Sequence, residues 1–282
     1  MKTYNLLLAG NSWGATSALN SLLRSSTFQI SVLTRDKSIE TFCAANSIPL
    51  VQTWNGHYDL IICAGWVEKV ESEFILNNKL LNIHYSLLPA YRGLHSTVWA
   101  ILNDESLLGF TVHRMNEFFD DGNIVYQYQT KNDMTSTATW YMEHFNNKVE
   151  EVLNEIVQGY LAGTIKEVPQ NKLLASWVGK RNLNDCKIDF SRTLDYQKAF
   201  FRALTSPYPL PFFEVNNNFF EVAKVAFHQS HVISHTGRIL NIDNEGVWVS
   251  CAGGYLVMQE IIDKKTNEVV PYAKFKTGIF IQ

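Results

Sequence analysis

The chain has 282 residues, with 24 Lys+Arg against 27 Asp+Glu for a formal net charge of -3, and it is 46% hydrophobic and 13% aromatic. Such a composition builds a substantial core and excludes disordered and fibrous classes. The near-neutral balance argues against a partner that is mostly phosphate backbone, since counterion release needs a clustered basic surface, while leaving room for a small anionic ligand.

The longest apolar stretches, such as residues 60–67, fall far short of the roughly 20 that a membrane span requires, so no membrane partner is expected. Residues 1–15 run from one Lys directly into a strand and turn rather than a cleavable leader, and the expected location is the cytoplasm. Cys43, Cys63, Cys186 and Cys251 form no CxxC pair and read as reduced core residues. His228, His231 and His235 lie in a segment rich in β-branched residues, so their spacing is not read as a metal site, and no metal is expected.

Residues 3–9 are an apolar run ending at Gly10, followed by helical spacing over 15–23; a second strand is expected at 28–34 and a second helix at 38–46. Residues 59–64 read as a fully buried strand. Unbroken apolar strands alternating with helices predict a parallel sheet covered on both faces. A strand at 80–85, a Pro- and Gly-containing loop, a helix near 96–102, strands at 109–115 and 124–130, and a long helix over 137–161 complete the first domain, 1–163. A linker with a helical piece near 196–204 spans 164–205. From 206 to 282 the chain reads as short strands separated by Asn, Asp and Gly, a small antiparallel β domain. The fold class is therefore α/β, a Rossmann-like, mainly parallel sheet followed by a small, mostly antiparallel β domain.

The first strand–helix turn, Gly10-Asn11-Ser12-Trp13-Gly14, matches neither the dinucleotide fingerprint nor a P-loop. It still leads into a helix N-terminus whose free N–H groups suit one phosphate, although a plain βα turn has the same appearance. Asn82 and His84 alternate on one strand and so project to the same side, at the carboxyl end where parallel α/β sheets bind ligands. Asp120, before a Gly turn, is placed to meet the His84 ring. Together the three supply an oxyanion donor, a proton acceptor and an orienting charge. Taken singly, His84 reads equally as a satisfied core histidine and Asp120 as a turn cap.

The joint pattern Asn82-x-His84-x-Ser86-Leu87-Leu88-Pro89, Tyr91-Arg92-Gly93, Thr111-x-His113-x-Met115, Asp120 and Gly122-x-Ile124 resembles the formyltransferases that use 10-formyltetrahydrofolate. The segment from Ala64 to Val70 resembles the family's pterin-binding loop. Lys180-Arg181, Ile188-Asp189-Phe190 and Phe201-Arg202-Ala203-Leu204 resemble the start of the carboxyl-terminal domain in methionyl-tRNA formyltransferase and the sugar N-formyltransferases. The resemblance implies catalytic roles for Asn82, His84 and Asp120, and contacts to the formyl-folate co-substrate by Trp66, Val67, Glu68, Val70 and Asp121. It implies no metal and no covalent enzyme intermediate.

Family members differ in their acceptor. A tRNA enzyme of this family would be expected to carry a basic insertion near 34–48, but there this chain has two basic and two acidic residues. The glycinamide ribonucleotide enzymes resemble only the first domain. The implied acceptor is a nucleoside-diphosphate-linked 3- or 4-amino-deoxysugar destined for a surface polysaccharide such as O-antigen, with a methionyl-tRNA acceptor as the alternative. Asn11, Ser12, Gly14 and Arg92 are then expected at its phosphates, and Trp13 and Tyr91 beside its sugar or base. A homodimer formed through the β domain is expected. A carboxylate beside His84 is expected to raise its pKa and push the activity optimum above neutral pH.

Overall fold

The computed structural model describes residues 2–282 and divides into two compact units. The first comprises Met1–Thr97, Ser106–Lys131 and Tyr141–Gly179; the second comprises Val98–Glu105, Asn132–Trp140 and Lys180–Gln282.

In chain order the first stretch forms β1 (Tyr4–Gly10), α1 (Ser12–Leu22), β2 (Phe28–Leu33), α2 (Lys37–Ala45), β3 (Leu60–Ala64), α3 (Ser72–Asn77), β4 (Leu80–His84), the two-residue β5 (Arg92–Gly93), α4 (Ser96–Leu102), β6 (Leu107–Arg114), β7 (Ile124–Lys131), α5 (Ala138–Leu161) and the short β8 (Trp177–Val178). The six-stranded sheet runs β2-β1-β3-β4-β6-β7. Its first four strands are parallel, whereas β6 and β7 are antiparallel to their neighbours. Every residue of β3 is buried, as expected for a strand covered on both faces.

One side of the sheet closes over Leu7, Ala9, Leu33, Ile61, Cys63, Val70, Ile75 and Leu80. In α5, Tyr141, Phe145, Val149, Leu153, Ile156 and Val157 recur at three- and four-residue steps and are all buried. Phe145 lies 6.4 Å from Phe110 and 5.9 Å from Tyr141, centroid to centroid. α1 starts earlier than its apolar spacing suggests because the turn before it is tight. A Cβ at Gly10 would sit 2.1 Å from the Ala64 carbonyl, and Asn11 N–H donates to that oxygen. The short α3, whose only buried residue is Ile75, gave no periodic signal.

The second unit contains α6 (Leu194–Ala203), β9 (Phe212–Val215), β10 (Asn218–Gln229), β11 (Ile239–Ile242), β12 (Val247–Cys251), β13 (Gly254–Asp263) and β14 (Glu268–Val269). Its antiparallel sheet has the order β11-β12-β13-β10-β9, with β14 on β13. Phe213, Phe220 and Phe275 pack with centroids 5.3–5.8 Å apart in its core. Thr193 caps α6 by accepting from Tyr196 N–H. The fold is thus a Rossmann-like mixed sheet with helices and an antiparallel half-barrel. Among the described residues, no helix is long and apolar enough to cross a membrane.

Candidate active site

The antiparallel pairing of β4 with β6 sets Asn82 opposite His113 and His84 opposite Thr111. Directly opposed residues share a face, so strand alternation puts all four side chains on one side of the sheet at the carboxyl end of β4. The chain then returns with Asp120 between the two imidazoles.

Each oxygen of the Asp120 carboxylate serves one side of this cluster. Oδ2 lies 3.6 Å from His84 Nδ1 and accepts from Gly93 N–H at 2.9 Å. Oδ1 lies 3.4 Å from His113 Nε2 and 3.5 Å from the Asn82 amide nitrogen. The far nitrogen of each ring meets a backbone carbonyl, His84 Nε2 donating to Tyr91 O at 2.8 Å and His113 Nδ1 donating to Arg114 O at 3.1 Å. Asn82 Nδ2 also sits 3.1 Å from His113 Nε2.

Burial alone would raise the Asp120 pKa; the His113 hydrogen bond, the neighbouring imidazoles and Gly93 N–H outweigh it and bring the carboxyl down to about 2. Asp120 is therefore charged throughout the physiological range. For His84 the balance runs the other way. Burial pushes its pKa down, and His113 adds to this, more strongly than Asp120 and the Tyr91 carbonyl push it up. The expectation of a raised His84 pKa and an alkaline optimum is thus corrected: the ring is neutral at pH 7 because desolvation wins. It is ready to take a proton, and the imidazolium so formed would face acceptors at both nitrogens.

Three consecutive residues hold this constellation from one side. The Tyr91 carbonyl meets His84, Gly93 N–H meets Asp120, and the Arg92 side chain turns inward. Arg92, expected at an acceptor phosphate, is 4% exposed; its guanidinium is spent on Asp121 Oδ1 at 2.6 Å, on Gln170 Oε1 at 2.7 Å and on the face of Trp177. Asp121, expected at the formyl-folate, is held between Arg92 and Lys172 Nζ, the latter at 3.6 Å. The loop after β4 is pinned by buried Thr111, whose hydroxyl donates to Ser86 O at 2.7 Å and accepts from Leu88 N–H at 3.1 Å.

The other predicted residues lie on neighbouring strand ends. In the β1–α1 turn, Asn11 Oδ1 accepts from Arg35 N–H at 2.7 Å, and Ser12 N–H donates to Asp36 Oδ2 at 2.9 Å. A carboxylate thus already occupies the first N–H of α1. Trp13 is exposed, and Gly14 runs so close to Tyr85 that a Cβ there would be 2.8 Å from its hydroxyl. After β3, Trp66 packs edge-on to Trp54 at 5.2 Å, and its buried indole N–H has no hydrogen-bond partner. Val67 is 70% exposed, Glu68 faces Arg35 at 3.6 Å, and Val70 is buried in the core rather than presented to a ligand.

His113 and Gln170 belong to the site although sequence reasoning gave them no role. His113 stood in the motif, but only the β4–β6 register reveals that it faces Asn82. Gln170 carried no local signal. Among the described residues no group of three His, Cys, Asp or Glu is placed to hold a metal ion; His228 instead stacks on Tyr255 at 5.0 Å.

Known proteins resemble the chain in sequence and in fold. A formyl transferase family model matches residues 51–157, and the formyl transferase C-terminal domain matches 181–276. The chain is 24% identical to methionyl-tRNA formyltransferase of Finegoldia magna over 234 residues, 79% of this chain and 74% of that protein. In fold it resembles WlaRD, a sugar 3N-formyl transferase solved with dTDP and 5-N-formyl-THF (TM-score 0.70, 21% identity, 92% of this chain and 98% of that one). It also resembles an N-formyltransferase from Helicobacter canadensis solved with folinic acid and dTDP-3-aminofucose (TM-score 0.71, 19% identity, 91% and 99%). With both domain models matched in order and between them spanning most of the sequence, this chain belongs to the formyl transferase family and is an enzyme of formyl-group transfer.

Proposed function

We propose that the protein moves the formyl group of 10-formyltetrahydrofolate onto the amine of a nucleoside-diphosphate-linked 3- or 4-amino-deoxysugar. The observation that carries this reading is the Asn82–His84–His113–Asp120 cluster, with both imidazoles buried and the amide and carboxylate half-buried beside them, in a chain whose fold runs the full length of enzymes described as sugar N-formyltransferases.

The acceptor amine attacks the formyl carbon. A C–N bond forms, the carbonyl oxygen becomes an oxyanion, and the bond to the folate nitrogen then breaks as that nitrogen regains a proton. Asn82 Nδ2 is the donor for the oxyanion. Neutral His84 takes the amine proton, and the charged Asp120 beside it stabilises the imidazolium. The loop bearing Trp66, Val67 and Glu68 offers the formyl-folate an orphaned indole donor and open surface beside the site. Trp13, Ser12, Gly14 and Asn11, with Tyr91, border the acceptor. Asp121 and Arg92 support the site from within. The enzyme acts in the cytoplasm as a homodimer, in building a surface polysaccharide.

The second reading, a methionyl-tRNA acceptor, is favoured by the sequence relatives. Against it, both basic residues near α2 are already paired, Lys37 with Glu40 at 2.8 Å and Arg35 with Glu68 at 3.6 Å, leaving little basic surface for a phosphate backbone. A turnover assay with 10-formyltetrahydrofolate, a panel of amino-sugar nucleotides and methionyl-tRNA, run beside His84→Ala, separates the two. Formylation of one sugar nucleotide that the variant loses is the expected result; transfer to tRNA alone overturns the acceptor assignment, and no transfer to either overturns the reading.

A further inference from the structure

Within the formyl-transfer reading, the geometry points to Gln170 as a positioning residue for Asp120, acting through the backbone of the turn that carries it. Gln170 follows α5, fifty positions beyond Asp120, and is 8% exposed. Its Nε2 donates to the Asp120 carbonyl and to the Gly122 carbonyl, both at 2.7 Å, and its Oε1 accepts from Arg92 at 2.7 Å. Arg92 in turn grips Asp121 at 2.6 Å. One amide and one guanidinium thus bind every residue of the turn from Asp120 to Gly122.

The turn needs such a hold. Asp120 has φ +51, the left-handed region that costs a non-glycine residue energy and persists only where its surroundings enforce it. Gly122 passes so close to the Arg114 carbonyl that a Cβ would stand 1.6 Å from the oxygen. The turn is therefore pressed against the end of β6 on one side and tied by Gln170 on the other. What it delivers is a carboxylate at 3.6 Å from His84 and 3.4 Å from His113, separations at which a small displacement breaks both contacts. His84 is faced by Asp120, by His113 and by the Tyr91 carbonyl; withdrawing the carboxylate removes the negative charge that opposes burial and leaves His113 in place.

Two variants test this. Gln170→Leu keeps the volume and removes both functions of the amide, while Gln170→Glu keeps an acceptor for Arg92 but cannot donate to the two carbonyls. For each, kcat is expected to fall about 100-fold, the scale of a misplacement of about 1 Å, with KM for donor and acceptor within about twofold of wild type. In NMR of Gln170→Leu, the His84 ring signal, identified by its loss in His84→Ala, is expected to titrate at lower pH than in the wild type; Gln170→Glu adds a carboxylate that opposes this shift and is read by kcat and KM alone. A glutamine that merely stabilises the fold would lower the melting temperature and move neither quantity. Folded variants with wild-type kcat and an unshifted His84 titration overturn the inference, as does a loss confined to KM. Should Gln170→Leu fail to fold, Gln170→Glu carries the kinetic readout, a fall in kcat with KM unchanged. If the wild type transfers no formyl group, the functional reading fails while the titration still decides the role of Gln170.

Discussion

Two loop systems leave the carboxyl ends of neighbouring strands in the same sheet, and they are built in opposite ways. Around β4 and β6, side chains and backbone close on one another: Thr111 on the following loop, Tyr91 and Gly93 on His84 and Asp120, Arg92 and Gln170 on the turn from Asp120 to Gly122. After β3, by contrast, Val67 and Glu68 stand in solvent between Trp66, packed on Trp54, and the buried Val70, and their polar tether is a partly exposed ion pair at 3.6 Å. Buried charge-assisted hydrogen bonds hold a geometry to fractions of an ångström, whereas exposed pairs are worth little. Under the proposed function, the difference assigns reaction geometry to the closed network and recognition to loops that can change without unfolding the sheet. Substitutions in the first should act on kcat or on stability, and substitutions in the second on KM.

The sharpest test of that division is His84→Ala, for which kcat is expected to fall roughly 10³-fold, the range of a lost general base, with substrate KM values nearly unchanged in steady-state kinetics. Arg92→Met should follow. It strands the Asp121 carboxylate in a buried place, and breaking a buried pair costs about 3–5 kcal/mol, read as a lowered midpoint in urea unfolding. A loss below about 1 kcal/mol would mean that Lys172, 3.6 Å away, has taken over the carboxylate. Asn82→Ala should reduce kcat about 10²-fold by removing the oxyanion donor.

Much of this network was legible in the sequence, for a physical reason. Unbroken apolar runs at β1 and β3 report burial on both faces, and the alternation Asn82-Ile83-His84 places two polar groups together without any knowledge of the fold. The partnership with His113 was not legible, because it depends on β6 pairing antiparallel to β4 in one particular register. Arg92 was expected at a phosphate because an arginine is exposed by default, and nothing local announced that Asp121 and Gln170 would bury its side chain. Val70 read as a ligand contact, but the loop turns inward there and its side chain joins the core. Local patterns therefore revealed what each strand presents, and missed what tertiary pairing adds.

The pH dependence separates the members of the network. The lowered His84 pKa means that kcat/KM should rise as the ring loses its proton, with a midpoint below the ordinary 6.5, and stay level above it. The sign for stability follows from linkage: the unfolded chain binds the His84 proton more readily, so stability declines as pH falls below 6.5. Asp120 adds a second decline between its ordinary 3.8 and about 2, where protonation removes its contacts to Gly93 and the imidazoles. Asp120→Asn should abolish that second decline in acid unfolding monitored by circular dichroism. A rate profile that still climbs above pH 8 would restore a raised His84 pKa and contradict the dominance of burial.

The smallest effect is expected in the open loop, and it bears most directly on the contrast between the two systems. Trp66→Phe keeps the packing against Trp54 and deletes only the partnerless indole N–H. If that donor serves the formyl-folate, its removal forfeits one hydrogen bond of about 0.5–1.5 kcal/mol, a rise in KM for the donor of a few fold to about tenfold, with kcat unaltered. Because the N–H is unsatisfied in the free protein, its deletion should leave the melting temperature unchanged or slightly raised, since burying a donor without a partner is itself costly. A drop in kcat from the same substitution would mean that the loop after β3 helps to set the reacting geometry, and the separation of chemistry from recognition would fail at that strand.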